Sequence, residues 1–323
     1  MKLMSTAEET RRRLAEIPNL TVSRDTPLSL YTRFAIGGPA DVFGETCSPE
    51  AFIDAIRAAR QTGIDVMVIG GGTNLIVSDA GYRGLVIRFR DDRISAADSR
   101  ITVGAGAVLQ DLVDFANRRG LKGLETLAGI PGWVGAAVYG NAGAYGHAMN
   151  ERVSRVHFFD GESVRDFDNA ACEFRYRESI FKQRKDWVIF SAELAMDPAD
   201  AAELERISAE ILAVRNAKFP PTMKCAGSIF KNFLLKNLPP NVAVQVPPSV
   251  VREGKIPAAW FLEQVGAKGM HRGGIHVADY HANLIYNAAD GTAAELAEVI
   301  MELKSRVRSR FGIAVEEEVQ YVG

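Results

Sequence analysis

Between Ala128 and Gly146 the chain reads A-G-I-P-G-W-V-G-A-A-V-Y-G-N-A-G-A-Y-G, a stretch too rich in glycine to be the interior of a helix or strand. A bound anion would offset that conformational entropy, because glycine lets backbone N–H groups close on phosphate oxygens. A second loop, Gly70-Gly71-Gly72-Thr73-Asn74, follows the apolar run Val66-Met67-Val68-Ile69 and has the layout of a strand emptying into a phosphate cradle. Either loop alone also reads as a tight turn; together they predict a nucleotide. Neither has glycines at the first, third and sixth positions of a helix-opening turn. Asn74 leads instead into the strand-like Leu75-Ile76-Val77, which disfavours a Rossmann domain.

Three further segments carry reactive side chains, each with an inert alternative. Gly227 before Ser228 permits an exposed hydroxyl, and the same pair reads as a turn or cap. Arg177, in the aromatic segment Tyr176-Arg177-Glu178-Ser179, has the planar fork that grips a carboxylate, or it pairs structurally with Glu173 or Glu178. Glu316-Glu317-Glu318 reads as a solvated face. His276 and His281 are spaced for opposite faces of a strand and no acidic or thiol cluster joins them, so no metal is expected and His281 reads as a structural hydrogen-bonding residue.

The elements that must position these residues follow from periodicity and caps. Ser48-Pro49 opens a helix that Gly63 stops; strand patterns cover 66–69, 75–77, 85–89 and 101–103; Leu109, Leu112, Val113 and Ala116 mark a helix ending at Gly120. Strands 153–159 and 164–167 flank the turn Asp160-Gly161. A long helix through Leu204, Ile207, Ile211 and Val214 runs to Pro220-Pro221, and a smaller module follows with a helix at 258–265, a strand at 283–286 and a closing helix through Val307 to Gly312. Leu234 to Pro257 is a proline-bearing loop or loose β excursion. The pattern is α+β rather than strict alternation.

Composition bounds the partners. With 323 residues, 47% of them hydrophobic, and a net charge of −2 on scattered Lys and Arg, the chain reads as an ordinary globular protein of about two domains with no nucleic-acid stripe. Three widely spaced cysteines, Cys47, Cys172 and Cys225, form no disulfide or zinc pattern, so a cytoplasmic setting is expected. No apolar run is long enough for a membrane span, and Met1-Lys2-Leu3-Met4 with the charges after it reads as a short surface helix rather than a signal peptide.

Taken in order, the motifs resemble the UDP-N-acetylenolpyruvoylglucosamine reductase family over nearly the whole chain. Thr32 to Gly38 is similar to its T-x-x-x-x-G-G, residues 70–74 to G-x-G-[ST]-N, and Ala128 to Gly146 to A-G-x-P-G-x-V-G-x-A-x-x-x-N-A-G-A-Y-G; Tyr176-Arg177-x-Ser179, Gly227-Ser228-x-Phe230-Lys231-Asn232, His281-Ala282-Asn283 and Glu318-Val319 follow. The resemblance implies a two-lobed FAD-binding domain of the vanillyl-alcohol-oxidase type at 1–212, with lobes of about 1–80 and 81–212. It further implies a substrate-binding domain at 213–310 and a C-terminal segment, 311–323, returning to the active site. It implies FAD and NADPH as cofactors and a UDP-sugar enol ether as the small-molecule substrate, with no membrane partner and a monomer favoured. By the same resemblance Ser228 donates a proton to carbon, Arg177 neutralises the substrate carboxylate and Glu318 stabilises the enolate. FAD falls to Gly70, Gly71, Gly72, Thr73, Asn74 and Leu75, and to Ala128, Gly129, Pro131, Gly132, Gly135, Ala136, Asn141, Ala142, Gly143 and Tyr145. Substrate falls to Tyr176, Arg215, Lys218, Asn232 and His281, although a solvated helix end would also explain Arg215 and Lys218.

Serine is a weak acid, so its hydroxyl is expected to be aimed by Lys231 or Asn232. Departures from the family are Trp133 in place of a small hydroxyl residue, Phe233 in place of proline, and the longer 234–257 stretch. Rival readings are a flavin oxidase on the same fold and a nucleotide-sugar sensor without turnover. No His or Cys lies between Cys47 and His147 to tether a flavin, so the cofactor is expected to be noncovalent.

Overall fold

The computed structural model describes residues 6–323. The first helix is Thr6–Leu14; the remainder of the helix expected at the extreme N-terminus, residues 1–5, lies outside the described residues. The chain forms two compact units, one of residues 1–26, 40–72 and 83–220 and one of 27–39, 73–82 and 221–323.

Among the described residues the first unit holds two larger sheets. One is four-stranded in the order Thr21–Pro27, Pro39–Thr46, Tyr82–Phe89, Val66–Val68, and the other is an antiparallel five-stranded sheet in the order Val164–Asp168, Val153–Phe159, Val188–Ala195, Arg100–Gly104, Ile94–Ala97. Helix Pro49–Thr62 forms where its caps dictate: the Ser48 side chain accepts from the Ala51 N–H, Pro49 supplies the first turn, and Gly63 closes it in the left-handed conformation. Its Phe52 packs edge-on against Phe89 and Phe190 at 5.8 Å, within a core that also takes Leu112 and Val113 from helix Leu109–Arg118. Phe158 stacks on Trp187 at 4.8 Å on the hairpin sheet.

The second unit is built on a four-stranded antiparallel sheet, Cys225–Ser228, Leu284–Asn287, Ile275–Val277, His271–Arg272, with helices Ala258–Gln264 and Ala293–Phe311. Phe261 and Phe311 meet edge-on at 5.2 Å in its core. Helix Ala293–Phe311 carries a Thr292/Glu295 capping box, and the Asp79 carboxylate accepts from the Ala293 and Ala294 N–H groups at 2.9 and 3.0 Å. The 234–257 excursion is closed at its base by the pair Phe233–Leu234 and Lys255–Ile256 and buries Val242 and Val246.

The domain limits differ from expectation in three places. Helix Ala201–Lys218 runs unbroken through 212–213, so the division falls not there but at Pro220, where the Pro220-Pro221 break read from the sequence ends the helix. Strand Tyr82–Phe89 belongs to the first sheet, which moves the lobe limit from 80 to beyond 89. Residues 27–39 and 73–82 belong to the second unit, because strand Leu75–Val77 pairs in parallel with Gln320–Val322.

Candidate active site

In the first unit the strand Val66–Val68 runs into Gly70, Gly71 and Gly72. The Ile69 N–H still donates to the Ile87 carbonyl at 3.1 Å, but among the described residues nothing accepts from the amides of the three glycines. A Cβ on Gly71 would stand 3.2 Å from Trp133 Cδ1 and 3.4 Å from Gly132 Cα, so the two glycine segments lie against each other and a side chain there would press on the indole. Unengaged amides on such a loop are what a phosphate group requires. The Trp133 ring is covered in turn by the Arg88 guanidinium at 4.3 Å.

The second segment is held from outside. The Gly129 N–H donates to Gln110 Oε1 at 2.7 Å, and Gln110 Nε2 donates to Asp114 at 2.7 Å, so helix Leu109–Arg118 sets where the segment begins. Gln110 carries no motif signal. Two residues expected at the cofactor have internal duties. Asn141, buried, donates through Nδ2 to the Arg175 carbonyl at 2.9 Å and accepts at Oδ1 from the Asn150 N–H at 3.0 Å. A Cβ on Gly143 would come 2.4 Å from the His147 carbonyl oxygen, so the tight pairing of Gly143–Ala144 with His147–Ala148 by itself demands glycine there.

Arg177 sits in the left-handed region at φ 59°, a strained position for a non-glycine residue, and its guanidinium lies 5.5 Å from the Tyr176 ring. Ser179, fully buried, donates to the Tyr139 carbonyl at 2.6 Å and caps helix Ile180–Gln183. Of the carboxylates considered as partners for Arg177, Glu173 lies 3.8 Å from Arg175, and Glu178 pairs with Lys182 at 3.0 Å while Lys182 also donates to the Arg177 carbonyl. Arg215 packs on the glycine segment: a Cβ on Gly129 would be 3.1 Å from its Cδ. Lys218 ends its helix exposed, beside Phe219.

In the second unit Ser228 ends the strand Cys225–Ser228 opposite Leu284. Among the described residues nothing hydrogen-bonds its hydroxyl. The neighbours expected to aim it are engaged elsewhere: Lys231 Nζ meets Glu316 at 2.5 Å, and Asn232 Oδ1 accepts the Ala258 N–H at 3.2 Å, capping the next helix. What fixes this strand end is Asn283, whose side chain donates to the Phe230 carbonyl at 2.8 Å and accepts the Phe230 N–H at 2.9 Å. The H-A-N motif held that signal. His281 lies in the turn before strand Leu284–Asn287, not on a strand face, and its Nδ1 accepts the Asn283 N–H at 3.1 Å.

The C-terminal segment runs beside this strand end. The Glu318 N–H donates to the Ile229 carbonyl at 2.7 Å, and the Lys231 N–H donates to the Glu316 carbonyl at 2.8 Å. The Glu318 carbonyl accepts from Asn74 Nδ2 at 2.9 Å. The three glutamates are therefore not one solvated face. Glu316 is 73% exposed, whereas Glu317 is 20% exposed and receives both oxygens' worth of hydrogen bond from Lys304 Nζ at 3.0 Å.

The C-terminal domain of UDP-N-acetylenolpyruvoylglucosamine reductases matches residues 219–322, and an FAD binding domain matches residues 41–163. The reductase of that name from Solibacter usitatus is 76% identical over 311 residues, covering 96% of this chain and 100% of that protein. The chain belongs to the UDP-N-acetylenolpyruvoylglucosamine reductase family. The family member from Heliobacterium modesticaldum is 37% identical over 92% of this chain and 89% of its own length. The crystal structure of the Thermus caldophilus reductase covers 94% of this chain and all of its own, with a TM-score of 0.73 at 29% identity. The family's FAD-binding and C-terminal domains thus carry the two halves described above, and the unengaged Gly70–Gly72 amides fit the pyrophosphate of FAD.

Proposed function

We propose that this chain is an NADPH-dependent flavoenzyme that reduces the enolpyruvyl group of UDP-N-acetylglucosamine enolpyruvate to give UDP-N-acetylmuramate for peptidoglycan synthesis. The reaction adds a hydride to the vinyl methylene carbon and a proton to the carbon bearing the ether oxygen and the carboxylate; NADPH becomes NADP⁺. When bound, FAD supplies two-electron chemistry between the nicotinamide and the enol ether. The amides of Gly70 to Gly72 and the glycine segment from Ala128 would hold its phosphates.

This chain's side chains then act on the substrate. Arg177 pairs two-point with the carboxylate, which lowers the cost of placing negative charge on the adjacent carbon. Ser228 gives its hydroxyl proton to that carbon. Glu318 faces the enolate charge as the second acid. One observation supports this division of roles: the bond from the Glu318 N–H to the Ile229 carbonyl sets Glu318 beside the residue after Ser228. Tyr176, Arg215 and Lys218 are proposed for the UDP-sugar, while Asn232 and His281 act through backbone support. A nucleotide-sugar substrate and NADPH suit a cytoplasmic enzyme, and we take it to be a monomer; among the described residues no helix is long and apolar enough to cross a membrane.

The absorption spectrum of the purified protein tests the reading. A flavin spectrum that bleaches with NADPH and returns with the UDP-sugar enol ether is expected; colourless protein that takes up no FAD, or bleached protein that the enol ether leaves bleached, overturns it.

A further inference from the structure

The glycine-loop motif ends in Asn74, a position the sequence assigns to the cofactor's phosphates. Its side chain does something else. Nδ2 donates to the Glu318 carbonyl at 2.9 Å, and the Asn74 carbonyl accepts the Gln320 N–H at 3.0 Å, so this one residue grips the C-terminal segment on either side of Val319. Glu318 is gripped on its other flank as well, where its N–H donates to the Ile229 carbonyl at 2.7 Å. With the peptide groups on both sides of its Cα held, the direction of the Cα–Cβ bond of Glu318 is set by these bonds. The flanking glutamates are tied off to Lys231 and Lys304, which keeps either from taking its place.

From this geometry we infer that Asn74 is a positioning residue for Glu318: its side-chain amide holds the proposed acid's main chain in register with Ser228 rather than binding the flavin. The inference rests on the role given to Glu318 above. Its physical basis is the narrow tolerance of acid catalysis, in which a displacement of about 1 Å is enough to cost about a hundredfold. Losing the Nδ2 donor removes the hydrogen bond that holds the peptide between Glu318 and Val319 and loosens the main chain on that side of Glu318. The main-chain N–H of Asn74 has no acceptor among the described residues, so the loop's capacity for phosphate survives a change of its side chain.

Asn74→Asp keeps the shape and replaces the donor by an acceptor that repels the carbonyl; Asn74→Ala removes the donor without adding charge and serves if the first variant folds poorly. The holoenzyme is measured for FAD content, for the rate of bleaching by NADPH, and for the rate of recovery with the enol ether, in each variant, in Glu318→Gln and in the Asn74→Asp/Glu318→Gln double variant. FAD content, bleaching rate and KM for the UDP-sugar are expected within about twofold of the unaltered protein, with recovery slowed about tenfold, the rate equivalent of one hydrogen bond. In the Glu318→Gln background the Asn74 change is expected to add nothing. Loss of FAD in the Asn74 variants makes it a cofactor ligand and overturns the inference, as does unaltered recovery, or a slowing that multiplies with that of Glu318→Gln. Recovery at the unaltered rate in Glu318→Gln alone removes the acid role itself, which separates failure of the function reading from failure of the positioning role.

Discussion

The side-chain amide of Asn74 donates to the main-chain carbonyl of Glu318 at 2.9 Å, across 244 positions of sequence. A residue of the first glycine loop and a residue of the terminal glutamate run are thereby one hydrogen bond apart, and the three glutamates acquire three different environments.

Those environments predict three different variants. Glu318→Gln is expected to slow flavin recovery with the enol ether and leave the melting temperature unchanged. Glu317→Gln removes the charge facing Lys304 at 3.0 Å in a half-buried pair and is expected to lower the melting temperature by roughly 1–3 °C. Glu316→Gln, at an exposed carboxylate, is expected to alter neither. Parallel melting curves and stopped-flow traces decide it, and equal effects from all three would return the run to an acidic surface.

Ser228→Ala separates the half-reactions. Bleaching by NADPH uses no proton from the serine and is expected at the normal rate, while recovery should slow by about 10² to 10⁴-fold. Ser228→Cys, a stronger acid of similar size, should retain more activity than alanine. Recovery of the alanine variant at the unaltered rate would show that another group supplies the proton.

Two glycine variants should lose flavin for different reasons. In Gly71→Val the side chain enters the space facing Trp133, and the apoprotein is expected to melt near the unaltered apoprotein while its FAD content falls. In Gly143→Val the Cβ meets the His147 carbonyl 2.4 Å away, so the apoprotein itself should be destabilised by about 1–3 kcal/mol. Differential scanning of FAD-stripped protein distinguishes the two; a stable Gly143→Val apoprotein would refute the internal explanation.

Arg177→Lys keeps the charge and loses the planar fork. A fall in kcat/KM of about tenfold or more is expected, carried mainly by the UDP-sugar rather than by NADPH, because only the sugar presents the carboxylate. Steady-state kinetics with each substrate varied in turn provide the check, and unaltered values would leave Arg177 a structural cation.

The cysteines offer a pH test. Burial pushes the Cys172 thiol up to about 12, helped by the nearby Asp168 carboxylate, against an ordinary 9.0. The stabilisation from keeping that proton is complete below about pH 9 and is lost as pH rises from 9 toward 12, where the unfolded chain releases the proton first. Iodoacetamide at pH 8 is expected to label exposed Cys47 in the folded protein and all three cysteines only in denaturant. Rapid labelling of Cys172 without unfolding would contradict its placement.

The helices were legible wherever their signals lie within a few residues. Ser48, Pro49 and Gly63 bracket one helix as read, and Gly312 closes another as read, while its Thr292/Glu295 capping box went unread. Strand Thr21–Pro27 was not legible, because its mostly exposed T-V-S-R-D-T-P carries no apolar alternation, and strand Ile94–Ala97 is equally mute. The ordered glycine, serine and glutamate motifs determined the family and the candidate site residues.

What each of these side chains does was decided by the tertiary structure. Asn141 answers to Arg175 and Asn150, Gly143 to its own turn, Asn232 to helix Ala258–Gln264, and Asn74 to Glu318, while Asp79 caps a helix that begins at Ala293. Sequence patterns record the local interactions that form an element, and the partner of a polar side chain is fixed only when chain segments far apart are packed together. Asn, Asp and Glu have several hydrogen-bonding choices and no periodicity, so their partners become determinate only when strand Gln320–Val322 pairs with Leu75–Val77 and sets the register of everything beside it.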